Sequence, residues 1–303
     1  MALQTDRILV IGATGMLGRP VVERLHAEGF AVRALVRSPE RARILLPAGV
    51  DIIQGDVTQP ETLARALDGC VGVHINLKGG PDEADYERIE HQGTRAIAQA
   101  ARAAGVRQLT YLSAYTIAAH TATSPEARAK WRAEEAIRAS GVPYTIFRAT
   151  WFMETLPLFV RGRTATVIGR QPHRLHWLAA GDYARMVAQS YRTSEALGQA
   201  LYLYGPEALT MREALQRYCA ILVPHVTVST LPVAISAGLA RLTGDAELRS
   251  LTTLMAYYNR HGEHGDPAPA RAICGPPAMT LDQWCRQHAQ EQVRAPAKLF
   301  EQR

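Results

Sequence analysis

Through its first half the chain alternates short apolar runs with stretches whose apolar residues recur at helical spacing. Residues 8–11 are an unbroken apolar run, too short for a helix and ended by glycine, which reads as a buried strand. A helix opens near Arg19-Pro20 with Val21, Val22 and Leu25 on one face. The same logic predicts strands over residues 31–36, 50–54, 71–77, 109–113 and 144–148. Between them it predicts helices over 39–46, 61–67, 85–104 and 126–140, the last two closed by Gly105 and Gly141. Repeated strand–helix alternation predicts a doubly wound α/β fold, a parallel sheet covered on both faces.

Beyond Thr150 the pattern is less regular. A strand is expected over 164–168, then a polar turn and a further apolar run over 176–180. Asp182 is placed to cap a helix through Ser190. Residues 201–204, the turn Gly205-Pro206 and a helix over 210–222 follow, and 294–303 carry no strong packing signal. The expected division is 1–150 for the doubly wound domain and 151–303 for a smaller lobe interleaved with it.

At 303 residues and 47% apolar content the chain can bury a full core. No apolar run is long enough to span a bilayer, and the first strand begins too early to leave room for a signal peptide. Cys70, Cys219, Cys274 and Cys285 are scattered, which reads as free thiols in a reducing cytoplasm. The net charge of +6 comes almost entirely from arginine, interleaved with acidic residues rather than gathered in a stripe. That argues against a nucleic-acid surface and for an anionic small-molecule partner.

The candidate for that partner's site is the turn after the first strand, Gly12-Ala-Thr14-Gly15-Met16-Leu17-Gly18. Gly12 lets the chain leave the strand sharply, Gly15 lets a pyrophosphate approach the backbone, and Gly18 lets the helix pack close. The free N–H groups at the helix start then face the anion. An NAD site usually has Asp or Glu after the second strand; here stand Arg37 and, one turn on, Arg41. A guanidinium grips a ribose 2′-phosphate with paired hydrogen bonds, so NADP (NADPH) is the expected cofactor. Asp56, followed by Val57, either contacts the adenine amino group or caps the next helix. Asn76, Leu77 and Lys78, after the fourth strand, should line the pyrophosphate and ribose.

Several segments resemble the atypical short-chain dehydrogenases of the NmrA-like group. They are Gly12-Ala-Thr-Gly-Met-Leu-Gly18, Arg33-Ala-Leu-Val-Arg37, Gly55-Asp-Val57 and Leu112-Ser113. Ser140-Gly-Val-Pro-Tyr-Thr-Ile-Phe-Arg148, Trp151-Phe-Met-Glu154, His176-Trp-Leu-Ala-Ala-Gly-Asp182 and Tyr204-Gly-Pro-Glu-Ala-Leu-Thr210 add to the likeness, which spans roughly residues 6–285. The resemblance implies a dinucleotide-binding fold. It also implies a choice of roles: NADPH-dependent reductases of quinones, dyes and phenylpropanoids, dinucleotide-sensing regulators, or assembly proteins.

Typical short-chain dehydrogenases carry Tyr-x-x-x-Lys, in which the lysine lowers the tyrosine pKa. Lys130 fits the lysine, but Glu126 stands where the tyrosine belongs. Other candidates follow the fifth strand: Ser113, Tyr115 (a proton donor or a stacking partner for the nicotinamide) and His120 (a relay or an exposed loop residue). Lys130 is expected to hold the nicotinamide ribose. Thr150 belongs to the cofactor set, and Trp151, Phe152 and Met153 either wall an apolar substrate pocket or pack in the core. His173, His176, His261 and His264 lack the companions of a metal site.

These residues predict NADPH-dependent reduction of a flat conjugated acceptor, a quinone, enone or dye, for which a missing acid matters least. The rival expectation is a non-catalytic NADP(H) sensor or assembly scaffold with a protein partner. A homodimer fits either, and a sugar epimerase is disfavoured by the lost tyrosine.

Overall fold

The structure, a computed structural model, describes residues 6–80, 82–117 and 124–294. It divides into two compact units, each assembled from three chain segments. The first holds Met1–Ala149, Ala180–Leu203 and His264–Pro276; the second holds Thr150–Ala179, Tyr204–Glu263 and Pro277–Arg303.

In the first unit six strands alternate with helices: β1 (Arg7–Ile11), β2 (Ala31–Val36), β3 (Asp51–Gln54), β4 (Gly72–Ile75), β5 (Gln108–Ala114) and β6 (Tyr144–Ala149). The helices are α1 (Gly18–Ala27), α2 (Pro39–Leu45), α3 (Glu61–Leu67), α4 (Glu83–Asp85), α5 (Thr94–Ala103) and α6 (Pro125–Ala139). The second unit contributes β7 (Val160–Arg161), β8 (Thr164–Ile168) and β9 (Leu175–His176). The chain then returns to the first unit for α7 (Ala180–Ser190) and β10 (Gln199–Leu203).

The main sheet is parallel throughout, in the order β10-β6-β5-β4-β1-β2-β3. This is the doubly wound Rossmann arrangement. The run at 201–204 is thus the seventh strand, paired with β6 from Gln199↔Thr145 to Leu203↔Ala149. Strand order reverses between β1 and β4, and ligands of open α/β sheets bind at the carboxyl ends beside such a switch. One face of the sheet buries Leu9, Ile11, Val73, Ile75, Leu109 and Tyr111 against residues of α3, α5 and α6. Ile8 and Val10, pointing the other way by strand alternation, are equally buried, and α1 packs against α7.

Two helix expectations need correction. The helix expected over 85–104 is a composite in which α4 and α5 flank a π-helical stretch, Tyr86–Gly93. The wider turn accompanies an inward-facing carboxylate, Glu90, which apolar periodicity does not report. Asp182 lies in the first turn of α7 rather than at its cap, because the helix begins at Ala180. The apolar run at 176–180 is not a strand beyond His176.

The second unit adds β11 (Ala208–Leu209), α8 (Met211–Leu222), β12 (Thr227–Leu231), α9 (Val233–Thr243) and α10 (Ala246–Tyr258). After α11 (Ala268–Cys274) in the first unit, α12 (Leu281–Arg294) completes it. Thr210 caps α8 in a reciprocal box with Glu213, the two-donor arrangement that fixes a helix start. Its core gathers Met153, Leu156, Trp177, Leu215, Met255 and Trp284. No helix among the described residues is long and apolar enough to cross a membrane.

Candidate functional site

The turn after β1 has the features of an anion cradle. Gly12 sits at φ +78°, and a Cβ there would stand 2.0 Å from the Asn76 carbonyl oxygen. A Cβ on Gly18 would stand 2.1 Å from the Gly12 oxygen, so these two glycines bring β1, β4 and α1 together. Gly15 differs: it is exposed, and its Cβ would meet only the Gly12 oxygen, at 3.2 Å. The start of α1 has no side-chain cap and no acidic residue in its first turn. The Arg19 N–H is taken by the Gly15 oxygen at 3.0 Å and Pro20 has none, so what α1 offers an outside anion is chiefly the positive end of its dipole. These features fit a dinucleotide pyrophosphate. Thr14 and Leu17 are half-buried in this turn, and Met16 is exposed.

Arg37 and Arg41 are exposed after β2, with no carboxylate partner among the described residues. Asp56 does not cap α3, whose cap position is Pro60. Its Oδ1 instead accepts from the Thr58 N–H and hydroxyl, both at 2.9 Å, which shapes the loop and removes the capping alternative. Val57 is a member of the core, and Leu77 packs against that core. Asn76 is half-buried and tied to β1 through its N–H on the Ile11 oxygen, 3.1 Å, while Lys78 is exposed.

Around β5 and α6 the structure places two buried ion clusters. Ser113, expected in the catalytic and cofactor sets, donates its hydroxyl to Glu134 Oε1 at 2.6 Å. Glu134, fully buried, also accepts from Arg148 at 2.7 and 3.2 Å and from Arg138 at 2.8 Å. The second cluster holds Lys130, whose Nζ lies 2.8 Å from Glu90 Oε2 and 5.9 Å from the centre of the Tyr111 ring. Burial alone would lower the ammonium's pKa, but Glu90, with Tyr111 and Glu126, outweighs it and raises the pKa. Glu90 Oε1 takes the Gly79 N–H at 2.7 Å, linking Lys130 to the loop after β4. Burial raises the Glu126 carboxyl above its ordinary range; Lys130 and Lys78 oppose this and Glu90 adds to it. Tyr115 is buried, its ring edge-on to His264 at 5.8 Å. His120 lies outside the described residues.

In the second unit Thr150 gives its hydroxyl to Glu263 Oε1 at 2.5 Å. Trp151 packs on Phe159, Trp177 and Tyr258. Phe152 is buried, and Met153 is fully enclosed in that unit's core. The Met153 backbone N–H bonds the Leu178 oxygen at 3.0 Å. Glu90 and Glu263 escape sequence reasoning. The first is hidden in the π-helical stretch, and the second stands 87 residues from its partner His176. Among the described residues no three His, Cys, Asp or Glu side chains come together as a metal site.

Comparison with known proteins agrees with this geometry. A family described as NAD(P)H-binding matches residues 12–171, more than half of the chain. A (4-alkanoyl-5-oxo-2,5-dihydrofuran-3-yl)methyl phosphate reductase of Streptomyces griseus is 32% identical over 93% of this chain and 98% of its own length. The chloroplastic protein High Chlorophyll Fluorescence Phenotype 244 of Arabidopsis thaliana is 30% identical over 78% of this chain. The chain spans only 60% of that relative. A photosystem II assembly factor of Trieres chinensis is 27% identical over 68% of this chain and 66% of its own. Among solved structures, a Citrobacter triphenylmethane reductase with NADP(H) superposes at a TM-score of 0.74, with 19% identity, over 93% of this chain and 99% of its own. An Escherichia coli NADPH-dependent quinone oxidoreductase with NADPH gives 0.70 and 25% identity over the same shares.

Proposed function

The chain belongs to the NAD(P)H-binding family, within the atypical, NmrA-like short-chain dehydrogenases, and from that premise we propose that it is an NADPH-dependent reductase of flat conjugated acceptors: quinones, enones or dyes. The observation that carries the choice of acceptor is the state of α6. Glu126 stands in place of the tyrosine acid, and the Lys130 ammonium is held by Glu90. Reduction of a simple carbonyl needs an acid of that kind; an electron-poor conjugated system accepts hydride more readily. The full-length relative from Streptomyces griseus, a reductase of a conjugated butenolide, supports the enone class in particular.

In this reading the cofactor, when bound, supplies the hydride. Gly12, Gly15 and Gly18 with the α1 N-terminus hold its pyrophosphate, and Arg37 grips the 2′-phosphate. Asp56 and Val57 meet the adenine, Asn76 to Lys78 line the ribose and phosphates, and Lys130 holds the nicotinamide ribose. The protein works in the cytoplasm on a small conjugated substrate, without nucleic acid. The relative named as an assembly factor favours a second reading, a non-catalytic NADP(H)-binding scaffold with a protein partner.

One experiment separates them: nicotinamide fluorescence of NADPH with the protein, before and after a panel of quinones, enones and cationic dyes. Enhanced emission that decays catalytically with one acceptor class supports the reductase. Enhanced emission that persists through the panel supports the scaffold.

A further inference from the structure

Within the first unit one buried carboxylate ties the loop after β4 to α6. Glu90 lies in the π-helical stretch Tyr86–Gly93, with its side chain 1% exposed. Its Oε1 accepts from the Gly79 N–H at 2.7 Å, and its Oε2 lies 2.8 Å from Lys130 Nζ. The loop closes tightly on that stretch. A Cβ on Gly79 would stand 2.5 Å from the Tyr86 ring, and one on Gly80 2.1 Å from an Asp85 carboxylate oxygen. A π-helical turn is rare and is found frequently at functional sites.

Packing does not call for this pair, since burying two opposite charges costs desolvation that an apolar pair of similar volume avoids. An ammonium has three N–H groups, and among the described residues Glu90 is the one carboxylate at ion-pair distance from Lys130. N–H groups therefore remain for an acceptor from outside the chain, on a side chain still 12% exposed. The Tyr111 ring, 5.9 Å from that ammonium, belongs to the residue of β5 opposite Ile75, the last of β4. Lys130 is thus placed beside the carboxyl end of β4, where such sheets bind ligands. The contacts run unbroken from the glycine turn. Gly12 packs on the Asn76 carbonyl, Gly79 follows in the same loop and binds Glu90, and Glu90 binds Lys130. All of these residues belong to one unit.

We propose that Glu90, anchored on the Gly79 N–H, is a positioning residue that holds the Lys130 ammonium for the nicotinamide ribose; this rests on the NADPH reading above. The carboxylate itself touches neither cofactor nor substrate. By favouring the charged ammonium it keeps Lys130 a hydrogen-bond donor rather than a source of protons. Glu90→Gln isolates that role, because the amide keeps an oxygen for Gly79 and loses only the charge opposite Lys130.

The test is calorimetric titration of wild type, Glu90→Gln, Lys130→Met and the double variant with two ligands. One is NADPH; the other is adenosine 2′,5′-bisphosphate, which carries the adenine end and lacks the nicotinamide ribose. Glu90→Gln should raise the NADPH Kd by about tenfold, the worth of a charge-assisted hydrogen bond, and leave the bisphosphate unchanged. In the Lys130→Met background the same change should have no further effect on NADPH. In wild type, which needs no variant to fold, the Glu90 carboxylate ¹³C and Lys130 ammonium ¹⁵N resonances should shift with NADPH and not with the bisphosphate. Equal losses for both ligands would mean that Glu90 only supports the fold, and would overturn the proposal. So would an unchanged or lower NADPH Kd, a Lys130→Met variant that binds NADPH as wild type does, or resonances that ignore NADPH. Those outcomes leave wild type binding NADPH and the cofactor reading intact. A wild type that binds neither ligand would remove both.

Discussion

Single residues in the turn after β1 separate into those that shape the fold and those kept for a ligand. Gly12 combines φ +78° with a neighbouring carbonyl where its Cβ would be, so Gly12→Ala meets backbone strain and a clash together. We expect it to lose more than about 2 kcal/mol of stability, read by urea denaturation, along with NADPH binding. A Cβ on Gly15 would press on the Gly12 oxygen at 3.2 Å, a contact relieved by a shift of a few tenths of an ångström, so Gly15→Ala should lose much less stability than Gly12→Ala while weakening NADPH binding. Equal destabilisation of the two would show that Gly15 too serves the turn. Arg37 yields a prediction of the opposite kind, because the exposed guanidinium supports nothing in the fold. Arg37→Asp should raise the NADPH Kd by about 10- to 100-fold, the worth of a charge-assisted hydrogen bond, and leave NADH nearly unchanged. Fluorescence titration with both nucleotides decides it.

At the scale of elements, α6 and β6 are joined by charge as much as by apolar contact. Glu134 on α6 is the common acceptor for Ser113 of β5, Arg148 of β6 and Arg138 of α6 itself. Removing one member of a buried pair leaves its partner uncompensated, so Glu134→Gln should cost about 3 kcal/mol, read as a lower urea midpoint at unchanged slope. A change under about 0.5 kcal/mol would mean that the arginines find water instead. These clusters also mark the limit of what the sequence discloses. Strands β1, β2 and β8 and helix α3 are legible almost to the residue, because a continuous apolar run or a 3.6-residue stripe records burial directly. Lys130 and Glu126 are legible as a departure from a motif. Glu90 is not, since a carboxylate in a helix reads as solvated surface until the π-helical turn aims it inward at Lys130 and Gly79. The His176–Glu263 pair is likewise invisible, its members joined only by tertiary structure. Trp151 to Met153 illustrate the converse, where an aromatic cluster that suits a pocket equally suits a core.

For the molecule as a whole, the sheet carries an acid-sensitive centre. His74, on β4, is completely buried between Thr110, 2.8 Å from its Nδ1, and Tyr183, 3.2 Å from its Nε2. Burial lowers its pKa from 6.5 to about 3, because a charged imidazole there loses its hydration without gaining a counter-ion. The unfolded chain binds a proton at this residue below pH 6.5 and the folded chain does not until about pH 3. The unfolded state therefore binds more protons in that window, and stability falls as pH falls. The slope from this one group is about 1.4 kcal/mol per pH unit, fully developed once pH is well below 6.5. Glu87 and Glu213 add a weaker loss of the same sign at lower pH, their carboxyls being held below the ordinary range by His91 and by the Thr210 cap. Glu126 works against them, since a carboxyl raised by burial favours the folded state where it is protonated. The contribution of His74 is isolated by comparing wild type with His74→Gln in urea at pH 7, 6, 5 and 4. The variant should start less stable at pH 7, having lost a well-packed ring, and then decline less steeply, so that the two curves converge toward pH 4. Parallel curves would mean that the unfolded chain does not take up its extra proton at this histidine, and the acid sensitivity would then belong to the carboxylates.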